Sequence, residues 1–188
     1  MMKPILFLLL FMAGNTAWPD AQTNGLQVDV ERDGRVYAFS ASFNTPLTKC
    51  AAYRFLTDYE VARKMPGVIE LLANRQSDNK VKIDFTAEES ILFFHVRLHS
   101  VMENTEKPFD GVSFTQLSGD LKMFQGDWKV EQDLQGSTLR VKGLLERDTR
   151  IPLFIVDYFV KNSLTKKFSA IAELAEKQKD MPFTDCAD

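Results

Sequence analysis

The stretch Val81-Lys82-Ile83-Asp84-Phe85-Thr86-Ala87-Glu88 decides the fold class of this 188-residue chain. Apolar and polar residues alternate along it. Because the side chains of a β-strand point in turn to opposite faces of a sheet, this pattern predicts a strand with one buried and one solvated face. The same alternation returns in residues 36–43, 92–98 and 139–145. Repeated half-buried strands are typical of an antiparallel sheet.

Helical signals interrupt the strands near the start of the chain. Asp33-Gly34 lies between two alternating runs and predicts a β-hairpin. Thr45-Pro46 then predicts the start of a short helix, because proline suits a first helical turn. A second short helix is predicted for residues 60–65, ending at Pro66-Gly67.

A long helix is predicted at the C-terminal end of the chain. It begins at Ile151-Pro152, and apolar residues at helical spacing continue to about Lys179. A curved antiparallel sheet wrapped around this helix would bury the apolar faces of both elements. The predicted class is therefore α+β, with the two short helices after the first hairpin.

Local motifs resemble the START-like (SRPBCC) superfamily, and in particular its polyketide cyclase/dehydrase and coenzyme Q-binding branch. Phe55-Leu56-Thr57-Asp58-Tyr59-Glu60, followed by Met65-Pro66-Gly67-Val68, resembles a helix-to-strand stretch of that branch. Gly126-Asp127-Trp128, followed by Gly136-Ser137-Thr138, resembles one of its strand pairs. Ile151-Pro152 with residues 172–176 resembles its closing helix, and the order of these motifs is more specific than any one of them.

The resemblance covers residues 26–179 and leaves residues 180–188 as a C-terminal tail. It implies the helix-grip fold, with a cavity between the sheet and the long helix that takes an apolar or amphipathic ligand. It implies no single chemistry, because the superfamily includes lipid and quinone carriers, aromatase/cyclases and a ribosome-binding branch.

Our first functional interpretation is non-catalytic binding or transport of a lipid, a fatty acid or an isoprenoid- or quinone-like molecule, without a cofactor. One alternative is a cyclase/aromatase-like enzyme that acts on an aromatic or polyketide-type substrate. Another alternative is a protein-interaction module that uses the apolar face of the C-terminal helix.

The histidines are the first candidates for catalysis or metal binding. His95 and His99 share one face of a predicted strand and lie about 13 Å apart, which is too far for a common metal ion. Their neighbours of opposite parity are apolar, so we expect both rings to face solvent. The sequence contains no nucleophile–histidine motif, phosphate loop or Cys-x-x-Cys motif. We therefore predict no metal site and assign no catalytic residue.

Apolar residues of the predicted sheet and helix are the candidates for ligand contact. The candidates are Phe94, Phe124, Trp128, Val130, Leu139 and Val141 on the concave face of the sheet, and Val156, Phe159 and Val160 on the helix. The same residue types fill ordinary cores, so the pattern locates a cavity without separating the two roles.

The helix from Phe154 to Phe159 carries more apolar surface than burial on one side requires. One interpretation is a ligand gate or a docking patch with peripheral membrane contact, in which Lys161, Lys166 and Lys167 meet anionic head groups. The alternative is that a loop, such as residues 107–111, packs over this surface.

Residues 1–21 predict a signal peptide. Lys3 precedes nine apolar residues, from Ile5 to Ala13, and small residues follow. This run is shorter than the roughly 20 residues of a membrane-spanning helix. Cleavage is predicted after Ala17 or Ala21, and the alternative is a buried N-terminal core helix. Export places the mature chain in the periplasm or outside the cell.

Cys50 and Cys186 are the two cysteines of the chain. In an oxidising compartment they are candidates for a disulfide that joins an early segment to the tail, and the alternative is two free thiols. The net charge of −3 argues against a nucleic-acid partner, which favours a basic surface. We expect a monomer.

Overall fold

A computed structural model describes residues 25–91, 94–148, 152–158, 160, 163–180 and 183–186. In these residues one antiparallel sheet has eight strands. The strands are β1 (Gln27–Asp33), β2 (Val36–Thr45), β3 (Val68–Arg75), β4 (Lys80–Ile91), β5 (Phe94–Lys107), β6 (Gly111–Gly119), β7 (Leu121–Asp133) and β8 (Gly136–Arg147). Their spatial order is β1-β2-β8-β7-β6-β5-β4-β3, so β1 and β3 are the edges of an open sheet.

The helices lie between β2 and β3 and after β8, as predicted. They are α1 (Lys49–Thr57), α2 (Tyr59–Arg63), α3 (Leu153–Tyr158) and α4 (Leu164–Gln178), followed by a 3₁₀ turn at Thr184–Cys186. This arrangement is the predicted α+β class, a curved sheet that holds C-terminal helical segments on its concave side.

The predicted start of α1 at Thr45-Pro46 is wrong. Thr45 is the buried last residue of β2, and the helix begins at Lys49. Thr48 is the N-cap, and its hydroxyl accepts a hydrogen bond from the Ala51 N–H at 3.3 Å. A threonine at this position has a hydroxyl that accepts a hydrogen bond from an N–H of the first turn, whereas proline has no such side-chain acceptor.

The C-terminal helix differs from the single α-helix that we predicted. Between α3 and α4, Val160 and Ser163 have π-helical backbone conformation. A π-type turn holds one more residue than an α-helical turn and widens the helix locally. Ile151, the predicted first residue, lies outside the described residues.

Paired glycines shape the centre of the sheet. Gly126 of β7 faces Gly143 of β8 across the ladder. A Cβ on Gly126 would overlap the ring of Phe114, and a Cβ on Gly143 would overlap the ring of Phe39. The missing side chains therefore let two aromatic rings lie directly against the backbone of the sheet.

A disulfide joins Cys50 of α1 to Cys186 of the 3₁₀ turn, with the two Cα atoms 5.6 Å apart. Beside it, Arg54 and Asp185 form an ion pair at 2.8 Å, and Phe183 packs against the core. The tail is thus fastened to α1. None of the helices in the described ranges is long and apolar enough to cross a membrane. The predicted signal peptide, residues 1–21, lies outside the described part of the chain.

Candidate ligand cavity

A cavity of about 410 Å³ lies between the concave face of the sheet and helices α2, α3 and α4. Its size falls within the range of small-molecule sites. The wall is mainly apolar. From the sheet it includes Leu71, Ile83, Phe85, Met102, Phe114, Phe124, Trp128 and Val141, and from the helices it includes Ala62, Ile155, Val156, Leu164 and Phe168.

The cavity exists because the helices cover the sheet unevenly. Leu139 of β8 packs against α1 and α4 in a core that includes Phe43 and Phe55. The opposite half, β3 to β5, is covered by α2, which spans only Tyr59–Arg63. A helix of this length supplies too few side chains to fill the concave space. The space therefore remains as a cavity that apolar side chains line.

The structure separates the predicted ligand contacts into distinct environments. The residues that line the cavity are Phe124, Trp128, Val141, Val156 and Val160. Val130 and Leu139 lie on the same strands, but they are buried against α1 rather than facing the cavity. Phe159 and the side chain of Phe94 lie outside the described residues. Ligand contact by the lining residues stays a prediction.

We did not predict the part of the cavity wall that α2 and β3 to β5 form. Tyr59, Ala62, Leu71 and Met102 line the cavity on this side. The alternation in β4, which turns Ile83 and Phe85 inward, was the available signal for that wall. We used it to identify strands and did not carry it over to the cavity.

A polar cluster adjoins one end of the cavity wall at Tyr59. The Tyr59 hydroxyl donates a hydrogen bond to Glu106 Oε1 at 2.9 Å, and Arg75 binds both carboxylate oxygens of Glu106 at 3.0 Å. The Glu106 side chain is only 7% exposed. Burial, followed by the hydrogen bond to Glu106, holds the pKa of the Tyr59 hydroxyl well above its ordinary value. The phenol is therefore a stable proton donor at this end.

Several lining residues lie partly exposed at the surface. They are Met65, Val68, Ala87 and Val96, and Tyr59 beside the polar cluster is also only partly buried. Next to Met65, the Lys167 ammonium donates a hydrogen bond to the Pro66 carbonyl at 3.0 Å. This contact connects α4 to the turn between α2 and β3.

Helix α3 is fixed to the sheet by its acidic residue. The Tyr37 hydroxyl donates to Asp157 Oδ1 at 2.7 Å, and Arg32 lies 3.6 Å from Asp157 Oδ2. Burial raises the pKa of Tyr37, and the hydrogen bond to Asp157 raises it further. These contacts hold Val156 against the cavity while Phe154, on the other side of α3, is 56% exposed.

The loop of residues 107–111 does not cover the apolar surface of α3, in contrast to one of our alternatives. Phe109 of this loop instead contacts Tyr53 of α1, with ring centroids 5.6 Å apart. Leu153 and Phe154 therefore remain exposed.

His95 and His99 have exposed side chains, as predicted. His99 Nε2 lies 2.8 Å from Asp84 Oδ1, and His95 Nδ1 lies 3.2 Å from the Ser90 hydroxyl. Within the described residues, no three His, Cys, Asp or Glu side chains are placed to hold a metal ion.

Comparison with solved structures identifies the architecture. No protein-family model and no curated protein matches the chain. A Thermus thermophilus protein superposes with a TM-score of 0.63 at 15% identity, covering 75% of this chain and 95% of that one. A STAR-related lipid transfer protein from Xanthomonas axonopodis gives 0.62 at 15% identity, covering 79% and 98%. An aromatase/cyclase from Streptomyces sp. R1128 gives 0.57 at 8% identity, covering 81% and 99%. The chain therefore has a START-like helix-grip fold, as its sequence motifs predicted.

Proposed function

We propose that this protein binds a hydrophobic small molecule, such as a lipid, a fatty acid or an isoprenoid- or quinone-like compound, in the cavity without covalent chemistry. The observation that carries the proposal is the apolar wall between the sheet and the helices. Burial of apolar ligand surface supplies roughly 25 cal/mol per Å². Lipid transfer proteins and aromatase/cyclases among the solved structures of this fold add support at the level of the fold.

A substitution that fills the cavity tests whether the ligand binds there. Ala62→Phe places a ring in the cavity from α2, and Ala38→Phe adds the same ring to the exposed outer face of β2 as a control. We expect organic extracts and native mass spectra of wild type and Ala38→Phe to contain a bound lipid that Ala62→Phe lacks. Ligand-free wild-type protein that also fails to bind Nile red and a lipid panel would refute the proposal.

Export is part of the same proposal. The signal-like residues 1–21 and the Cys50–Cys186 disulfide support it, because structural disulfides persist in oxidising compartments. Fractionation of expressing bacteria should place the mature protein in the periplasm or the medium. Its mass should correspond to a chain that begins at Trp18 or Gln22, with the disulfide formed.

We also propose that the exposed end of α3 contacts membranes peripherally. Leu153 and Phe154 are exposed beside cavity residues of the same helix, and Lys166 is exposed at the start of α4. Phe154→Ser should weaken sedimentation with anionic vesicles. Leu134→Ser, which removes a fully exposed leucine from the β7–β8 turn, is the matched control and should have no effect.

A cyclase-like activity is the second candidate. The specific observation in its favour is the Tyr59 hydroxyl in the cavity wall, which burial keeps protonated. An enzyme would convert an aromatic or polyketide-type substrate at a rate that Tyr59→Phe reduces while the affinity for Nile red is retained. Binding of such a compound without turnover would favour the carrier.

The oligomeric state is a separate prediction. The elution volume on gel filtration tests the predicted monomer.

A further inference from the structure

We propose that the cavity accommodates a single alkyl or acyl chain of about fourteen carbon atoms and excludes lipids that carry two such chains. This inference rests on the proposed function and names the size class of its ligand. It is carried by the volume of the cavity, which is about 410 Å³, and by the buried side chains that surround this space.

The volume of the cavity determines how many carbon atoms it can hold. A methylene group takes up about as much space as a water molecule, whose share of the liquid is roughly 30 Å³. A space of about 410 Å³ therefore holds roughly fourteen such groups. A lipid with two chains of this length needs roughly twice that space. Its second chain would stay in water and gain no free energy from burial.

The length of the cavity allows one chain to lie extended. The wall on β5 runs from Val96 to Asn104, which are roughly 26 Å apart at the rise of a strand. An extended chain advances about 1.2 Å per bond, so a chain of about fourteen carbon atoms spans roughly 16 Å. Volume rather than length is thus the limit.

The polar groups of the wall do not change this limit, because it depends on space alone. Whichever of them meets the polar end of the ligand, the rest of the chain occupies the same volume. These groups belong to Tyr37, Tyr59, His99, Ser100, Asn104 and Lys167.

Tightly packed side chains on several sides keep the cavity from widening. Met102, Val141 and Phe168 line it, and each is at most 5% exposed and lies in a core cluster. The rings of Phe39 and Phe114 already lie against the backbone of the sheet at the paired glycines. Because close-packed interiors are hard to compress, a second chain gains no space by displacing this wall.

Straight-chain alcohols from octanol to eicosanol test the limit without a charge on the ligand. Affinity is measured by displacement of Nile red. Each additional methylene group should raise the affinity roughly fourfold up to a chain of about fourteen carbon atoms, and longer chains should add little. After incubation with phospholipids, native mass spectra should show one bound lysophosphatidylcholine, which has one acyl chain. They should show no bound phosphatidylcholine with two chains of the same length.

Two substitutions in the wall should move the limit in opposite directions. Met102→Ala removes side-chain volume and should extend the limit by about three carbon atoms, whereas Ala62→Leu adds volume and should shorten it by about as many. Ala38→Leu, on the exposed outer face of β2, is the matched control and should leave the limit unchanged. All three variants should keep the gain per methylene group below the limit, which shows that the cavity is still formed.

An affinity that keeps rising well past the predicted limit, or a bound lipid with two chains, overturns the inference and leaves the proposed function in place. A limit that is the same in Met102→Ala and Ala62→Leu also overturns it, because the volume of the cavity would then not determine the size of the ligand. Failure of wild type to bind Nile red, the alcohols and lysophosphatidylcholine overturns the proposed function as well.

Discussion

The two halves of the sheet have the same alternating pattern but opposite roles. In the half formed by β2, β7 and β8, which we call the packed half, Leu139 and Phe43 are buried against α1 and α4, although Trp128 and Val141 of the same strands reach the cavity wall. In the half formed by β3, β4 and β5, which we call the open half, Leu71 and Ile83 face the cavity. The inward face of a strand is thus core or binding surface according to what lies opposite to it.

The difference arises from the helices rather than from the strands. α4 spans Leu164–Gln178 and packs, together with α1, over the packed half. α2 spans Tyr59–Arg63 and is the short cover of the open half. The part of the packed half around Leu139 and Phe43 therefore stabilises the fold, whereas the open half contributes its inward face mainly to the cavity wall. Substitutions in the two halves separate these roles.

The largest effect is expected in the packed half. Leu139→Ala removes a side chain that is fully buried. We expect it to reduce the free energy of unfolding by about 4 kcal/mol, since the tightly packed surroundings cannot collapse into the space left behind. Urea denaturation measures this change. A loss below about 1 kcal/mol, well under the range for such substitutions, would show that this half is not the tightly packed core.

Loss of the disulfide should be the next largest effect. Cys50→Ser combined with Cys186→Ser opens a link between positions that are 136 residues apart. We expect a loss of about 3 kcal/mol, since the cross-link restricts the unfolded chain. Thermal unfolding of the double variant measures the loss. Nile red binding should persist below the new midpoint, because the disulfide lies at α1 and not at the open half; its disappearance in folded protein would contradict this separation.

The sequence predicted the secondary-structure elements well, but it did not predict which elements pack against each other. Alternation at Val81, Ile83 and Phe85 identified a strand and its inward face, because side-chain direction is a local property. The same alternation does not reveal which helix covers a strand, since that contact is distant in sequence. Val130 and Leu139 were therefore predicted as ligand contacts although α1 covers them.

The position of Lys167 in the cavity wall could have been predicted from the sequence. We had grouped it with Lys161 and Lys166 as a solvated or membrane-facing set. Its spacing, three residues after Leu164 and four before Ile171, places it on the inward face of the helix. The π-helical turn at Val160 and Ser163 has no comparable local signal, so the interruption of the helix was not predictable in this way.

Leu71→Ala makes the matched substitution in the open half. Leu71 is 8% exposed and already borders the cavity, so its removal enlarges an existing space instead of creating one. We expect a loss of about 2 kcal/mol, at the lower end for such substitutions. Affinity for Nile red should change in this variant and not in Leu139→Ala. A change of affinity in Leu139→Ala but not in Leu71→Ala would mean that the roles of the two halves are reversed.

The smallest effect is expected from Tyr59 and appears only at high pH. Its pKa in the folded protein lies above the unfolded value near 10, so the neutral phenol is favoured by folding. This contribution is complete below about pH 10 and is lost as the pH rises further, because the unfolded chain releases the proton first. Between about pH 10 and 11 wild type should therefore lose more stability than Tyr59→Phe.

The expected difference is below the limit of about 1.4 kcal/mol per pH unit for one proton, since Tyr59 is partly exposed. Burial also raises the pKa of Tyr37 on β2, so Tyr37→Phe is a second test and should likewise lose less stability than wild type over this pH range. Denaturation midpoints from about pH 8 to 11 measure all three proteins. Equal slopes for wild type and Tyr59→Phe would mean that neither the burial of Tyr59 nor its hydrogen bond to Glu106 persists in solution. The wall of the open half would then be hydrated at Tyr59, and the contrast between the two halves would be weaker there.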